Sequence, residues 1–205
     1  MANQTKKRKS SKKNQAGFTL IELLAVITIM GILMMVAIPA VSRTIENSRR
    51  DTFMDTAKAY VNAVKNAVAA DEIECKATAT ATTFSQISAL ATGNYVYRFS
   101  TTDVSGSGTS GINKTTATDL MEQGGKSSWG NSDLAGAIQI SKNVGANGRT
   151  TYTYSVKMVD SGGRGIDAYV TEENLRRTNV KTSGATNYGS IWKLGTGELD
   201  CQIAN

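Results

Sequence analysis

The chain has 205 residues, 40% hydrophobic and 20% charged, which suits one compact domain with an appendage. Its formal charge of +6 invites a nucleic-acid partner, but six of the 23 basic residues and none of the 17 acidic ones precede residue 18, so the remainder is neutral. There is no histidine, which removes the commonest general base and the commonest metal ligand.

Residues 1–17 form a basic leader carrying Lys6, Lys7, Arg8, Lys9, Lys12 and Lys13. Cations placed just ahead of an apolar run are what the positive-inside rule expects on the cytoplasmic side of a membrane. They belong to a targeting segment and stand outside the reasoning about fold and partners. A disordered solvated tail is the bland alternative, and the apolar run that follows at once argues against it.

Leu23 to Ser42 holds no charged residue, and 20 residues are enough to cross a bilayer as one helix. A secretory signal has a shorter apolar stretch ending in a small-residue cleavage site, and this run has no such ending. A plain N-terminal anchor is the other alternative. Glu22 separates the readings, because an ionised carboxylate facing lipid is costly unless it is paired. Its bland reading is a helix-start residue at the headgroup level, favoured by the helix dipole.

After Pro39 the pattern turns amphipathic. Ile45, Phe53, Ala57, Tyr60, Val61, Val64 and Val68 recur at helical spacing, and Glu46–Arg50 is an i,i+4 ion pair in the favourable order. One helix is therefore expected from about Phe18 to about Ala70, about 80 Å long at 1.5 Å per residue. Only its outer half can pack on a globular head. The inner half needs lipid or other copies. Gly31 and Pro39 bracket a weak stretch, since proline removes a backbone donor and glycine is a poor helix former.

The junction Gly17-Phe18-Thr19-Leu20-Ile21-Glu22, with its basic leader, resembles the type III signal of type IV prepilins. The resemblance covers roughly residues 1–70. It implies a prepilin peptidase that recognises Gly17 and Phe18 and cuts between them, where a residue without a Cβ lets a protease approach closely. It also implies N-methylation of the new Phe18 amine, and pairing of Glu22 with that amine on a neighbouring subunit during assembly. By the same resemblance, roughly Gly31 to Pro39 becomes extended in the filament. A simple kink in a membrane helix is the alternative there. The implied fold is α+β, the type IV pilin fold, with the long helix packed on a small antiparallel sheet. The chain then divides into the leader 1–17, a transmembrane or filament-core half at 18–42, and a head at 43–205. Residues 38–72 are also similar in overall pattern to pilin-like proteins of Gram-positive bacteria.

From Cys75 the composition shifts to Thr, Ser, Gly and Ala. Residues 76–83 and 106–111 read as loop. Strands are expected at Ala137–Ile140, at Thr150–Val159 with Tyr152, Tyr154, Val156 and Met158 on one face, and at Gly165–Thr171, with turns at 143–148 and 161–165. A turn of helix near Glu173–Arg177 and a short strand near Ser190–Leu194 complete the reading. Cys75 and Cys201 are the only cysteines, and two exported cysteines favour pairing. Their wide spacing departs from the shorter C-terminal loop usual in Gram-negative pilins, and two buried thiols are the alternative. Asn113-Lys114-Thr115 fits a glycosylation pattern that chance supplies readily in a Thr-rich chain.

No nucleophile–base or metal constellation is visible, so the expectation is a non-enzymatic protein with no cofactor and no metal. The leading reading is a structural subunit, the major pilin of an extracellular type IV pilus (fimbrium) used for adhesion, surface motility or aggregation. Its partners are other copies in a helical homopolymer, the peptidase, the pilus assembly platform, and the cytoplasmic membrane before export to the cell surface. The alternatives are a pseudopilin of a type II secretion or competence DNA-uptake system, and a minor pilin acting as a binding module. Nucleic acid is disfavoured by the neutral mature charge, because DNA affinity rests on phosphate neutralisation.

Overall fold

The computed structural model describes residues 17–102, 126–130 and 132–204. Most of the leader, the loop expected at 106–111 and the Asn113 acceptor pattern lie outside the described residues. Helix α1 runs unbroken over Leu20–Ala69, through Pro39. The chain divides into two compact units whose boundary, Thr44/Ile45, falls inside α1.

The outer part of α1 buries Phe53, Ala57, Tyr60, Val61, Val64 and Ala67. These recur at three- and four-residue spacing, one face of a helix. Ile45, expected on that face, is exposed, so packing starts two turns later, at Phe53. The helix ends in a Schellman motif. Glu72 N–H donates to Ala67 O (2.9 Å), Asp71 N–H donates to Val68 O (3.2 Å), and Asp71 takes a φ of 59°. That left-handed residue turns the chain directly into the sheet.

Among the described residues the sheet has seven strands: β1 (Ile73–Lys76), β2 (Phe84–Gln86), β3 (Gly93–Ser100), β4 (Leu134–Val144), β5 (Thr150–Asp160), β6 (Gly165–Thr171) and β7 (Glu198–Ile203). Their spatial order is β2-β1-β7-β3-β4-β5-β6, and every pairing is antiparallel except β3 with β7. This is the α+β arrangement expected, one long helix followed by a mostly antiparallel sheet. β5 and β6 lie where their alternation placed them. β4 is far longer than Ala137–Ile140, because pairing along the whole of β5 extends it at both ends.

The strand expected near Ser190–Leu194 is absent. Tyr188–Ser190 is instead a 3-10 turn, and Ile191 and Trp192 pack with Ala135 and Val159 on the sheet face opposite α1. The C-terminal strand is β7, whose Leu199, Cys201 and Ile203 join the core facing α1. The region Glu173–Arg177 forms two 3-10 turns, Glu172–Asn174 and Arg177–Asn179, in place of an α-helical turn.

Three buried polar arrangements hold this sheet. Arg98 on β3 pairs with Asp200 on β7 along one guanidinium edge, Nε donating to Oδ1 at 2.6 Å and Nη2 to Oδ2, with both residues buried. Lys142, 3% exposed, has its ammonium inside the curl of the 3-10 turn Ile87–Ala89, donating to the carbonyls of Ile87, Ser88 and Leu90 at 2.6–2.8 Å. Fully buried Asp160 accepts from Ser127 Oγ (2.7 Å), Gly162 N–H, Arg164 N–H and Arg164 Nε (each 2.9 Å). Arg164 also lies over the Trp129 ring, which packs on Phe53 of α1. Gly165 closes that turn at φ 137°, where a Cβ would sit 2.3 Å from Met158 O. Only glycine fits there.

Removing one partner of the buried Arg98–Asp200 pair strands a charge. Arg98→Met is expected to lower stability by about 3 kcal/mol, read as a shift of the urea midpoint at unchanged slope. Burial raises the phenol of half-buried Tyr154 to about 12, and burial also raises Tyr95 and Tyr152. Groups whose pKa is higher in the fold contribute stability that is fully present below the unfolded value of about 10 and lost as pH rises through the folded value. Thermal midpoints should therefore fall between about pH 10 and pH 12, and Tyr154→Phe should reduce that fall.

Candidate functional site

The start of α1 carries the candidate processing and assembly residues. Phe18 is 92% exposed, and from there to Val41 every large apolar side chain of the helix is exposed. One helix among the described residues is long and apolar enough to cross a membrane. The hydroxyls within this stretch are satisfied internally. Thr28 donates to the Leu24 and Ala25 carbonyls, Ser42 to Ile38, and Thr44 to Ala40, at 2.8–3.1 Å. A helix in hydrocarbon requires this, since lipid offers no partner for a stray O–H.

Glu22 sits in a capping box. The Thr19 N–H donates to Glu22 Oε2 at 2.8 Å, the Thr19 hydroxyl donates to the same oxygen at 2.9 Å, and the Glu22 N–H lies 3.3 Å from Thr19 Oγ1. The reciprocal pattern satisfies two of the donors that a helix start leaves orphaned. Thr19 was missed in the sequence reading, although Thr-x-x-Glu ahead of an apolar run is the signal for this motif. Both bonds to the carboxylate use Oε2. Among the described residues Oε1 accepts no hydrogen bond.

Gly31 and Pro39 lie within continuous helix. A Cβ on Gly31 would meet nothing within 4 Å, so its presence is unrelated to packing inside the single chain. Pro39 has no N–H, which leaves the Met35 carbonyl without its usual donor. The structure brings Gly17, Phe18, Thr19 and Glu22 together and leaves Gly31 and Pro39 further along the helix. In the 45–205 unit, Cys75 and Cys201 form a disulfide between directly opposed residues of β1 and β7, closing a separation of 126 residues. No group of three or more metal-ligating side chains occurs among the described residues.

Residues 12–38 match the family described as the prokaryotic N-terminal methylation motif, which is the type IV prepilin signal. No curated protein and no solved structure matches the chain. The matched segment takes in the last leader lysines, the Gly17–Phe18 bond, the capping box and the apolar helix as far as Ile38. The motif supports a type IV pilin-like or pseudopilin-like protein: the segment is similar to the signal that prepilin peptidase processes, and the helix fits membrane insertion.

Replacing the capping hydroxyl tests the geometry without touching the carboxylate. In Thr19→Val, amide exchange of residues 20–23 in detergent micelles should quicken about fivefold, the effect of losing a cap worth about 1 kcal/mol.

Proposed function

We propose that the chain is the major structural subunit of an extracellular type IV pilus, used for adhesion, surface motility or aggregation and without catalytic activity. The observation that carries this reading is the inner helix, exposed and apolar from Phe18 to Val41 with Glu22 as its one charge. Such a surface is stable only in lipid or against other apolar helices.

Hydrolysis of the Gly17–Phe18 bond releases the leader with its six cations and turns the Phe18 amide into an ammonium, which methylation leaves charged. The new terminus stands one residue ahead of the Thr19 cap. Glu22 then has two tasks. Oε2 holds the capping box of its own helix, while Oε1 remains to receive the ammonium of a neighbouring subunit. Charge pairing in hydrocarbon is strong, because neither ion has water to return to, so it favours the register in which the two meet. The Gly31–Pro39 stretch, with one carbonyl already lacking a donor, is where the helix extends as subunits draw together.

Electron microscopy of cells making the wild-type chain, Glu22→Gln or Glu22→Ala tests the proposal. The wild type should form long surface filaments. Both variants should lose them while the protein still accumulates in the membrane. Filaments of normal length and number from Glu22→Ala would overturn the registry role.

A further inference from the structure

On the 45–205 unit an open groove of about 480 Å³ lies where α1, β5 and the 3-10 turn after β6 meet, within the range of about 300–1,000 Å³ usual for small-molecule sites. Tyr152 and Tyr154 line it from β5, Lys65 from α1, and Thr171, Glu173 and Asn174 from the end of β6 and the turn beyond. These side chains are polar or aromatic, and none is aliphatic.

The groove is assembled by specific contacts. Lys65 pairs with Glu172, which also lines the groove, and its ammonium stands 5.5 Å over the Tyr154 ring. The Asn174 amide donates to Thr171 Oγ1 at 2.9 Å, and Arg176 Nη1 donates to the Glu173 carbonyl at 2.8 Å. Charge then selects the ligand class. Lys65 is paired with Glu172, which leaves the groove no free cation among the described residues for an anion to meet, and the Glu173 carboxylate stands as an acceptor. With Lys65 over the Tyr154 ring, the Tyr152 ring is left to offer a flat π face, whose negative quadrupole attracts polarised C–H bonds. The carboxylates accept hydrogen bonds, while Asn174, Thr171 and the tyrosine hydroxyls both donate and accept. A ligand suited to both features is not anionic, carries many hydroxyls, and has one face made of C–H bonds. That description fits a pyranose ring.

We propose that this groove binds an uncharged saccharide, with Tyr152 as the stacking platform and Glu173 and Asn174 as hydrogen-bonding partners. The inference deepens the adhesion branch of the proposed function and rests on the 45–205 unit being displayed outside the cell. A neighbouring copy of the chain is the competing occupant, and the test separates the two.

The full chain in detergent micelles is titrated with maltose, cellobiose, lactose and N,N′-diacetylchitobiose, followed by amide chemical shifts. Saturable shifts confined to residues around 65, 152–154 and 171–174 are expected for at least one sugar. Tyr152→Ala and Asn174→Ala should each weaken that binding about tenfold with an unchanged far-ultraviolet spectrum. Filaments from cells making either variant should be normal. No saturable shift with any of the four sugars, or shifts mapping elsewhere, overturns the saccharide site. So does loss of filaments in the folded variants, which would make the groove a contact between copies. Absence of filaments from the wild-type chain would instead count against the pilus reading, and the sugar titration would still decide the groove.

Discussion

A carboxylate at the start of an apolar helix has to be accounted for by whatever surrounds it, and Glu22 sets the terms for the rest of α1. Its capping box fixes the first turn, so the helix begins sharply at Leu20 immediately ahead of the apolar run. The same carboxylate keeps one oxygen outside the box. The helix-start role and the proposed assembly role therefore draw on different oxygens of one side chain and do not compete. The exposed apolar surface from Phe18 to Val41 gives the isolated chain no further stabilisation, and it acquires meaning only through what covers it.

Beyond residue 45 the same helix meets a different solvent, the interior of a sheet. Phe53, Ala57, Tyr60 and Val64 hold it there, with Tyr60 stacked on Phe99 at 4.2 Å between ring centres. The sheet is bound to the end of that helix by its last strand. β7 fills the gap between β1 and β3, accepts the Arg98 guanidinium through Asp200, and is tied covalently to β1 through Cys75–Cys201. Beyond it, the Ala204 N–H donates to Glu72 O at 2.7 Å, at the Schellman turn. Closing so long a loop limits the unfolded chain, an effect on the order of 5 kcal/mol in the chain-entropy model.

Polar groups inside the 45–205 unit act as clasps on loops. Lys142 closes the turn at 87–90 by donating to three carbonyls in place of a carboxylate, and burial lowers its pKa accordingly. Asp160 gathers Ser127 and Arg164, which brings Trp129 against Phe53 and Arg164. At the surface, Arg177 donates to Asp51 from Nε at 2.7 Å, holding its carboxyl below the usual range and tying the second 3-10 turn back to α1. These contacts keep the segments between strands close to the core without adding apolar surface. The proposed saccharide groove is a by-product of the same economy, its walls already held by paired groups.

The sequence alone determined what depends on local pattern. The apolar span, the outer helix face and strands β5 and β6 follow from charge position and from periods of 3.6 and 2, and the capping box was legible in Thr19 and Glu22. Tertiary structure decided the rest. β1 and β2 are only 4 and 3 residues long, too short for alternation to register, and they exist because neighbours pair with them. Glu198–Ile203 has three alternating apolar residues, yet what makes it central is an open position between β1 and β3 that no local pattern reveals. Trp192, in a segment read as strand, covers the outer sheet face because Ala135 and Val159 leave room there. Arg98, Lys142 and Asp160 look like surface charges in sequence. Only the fold places each beside the partners that make its burial tolerable.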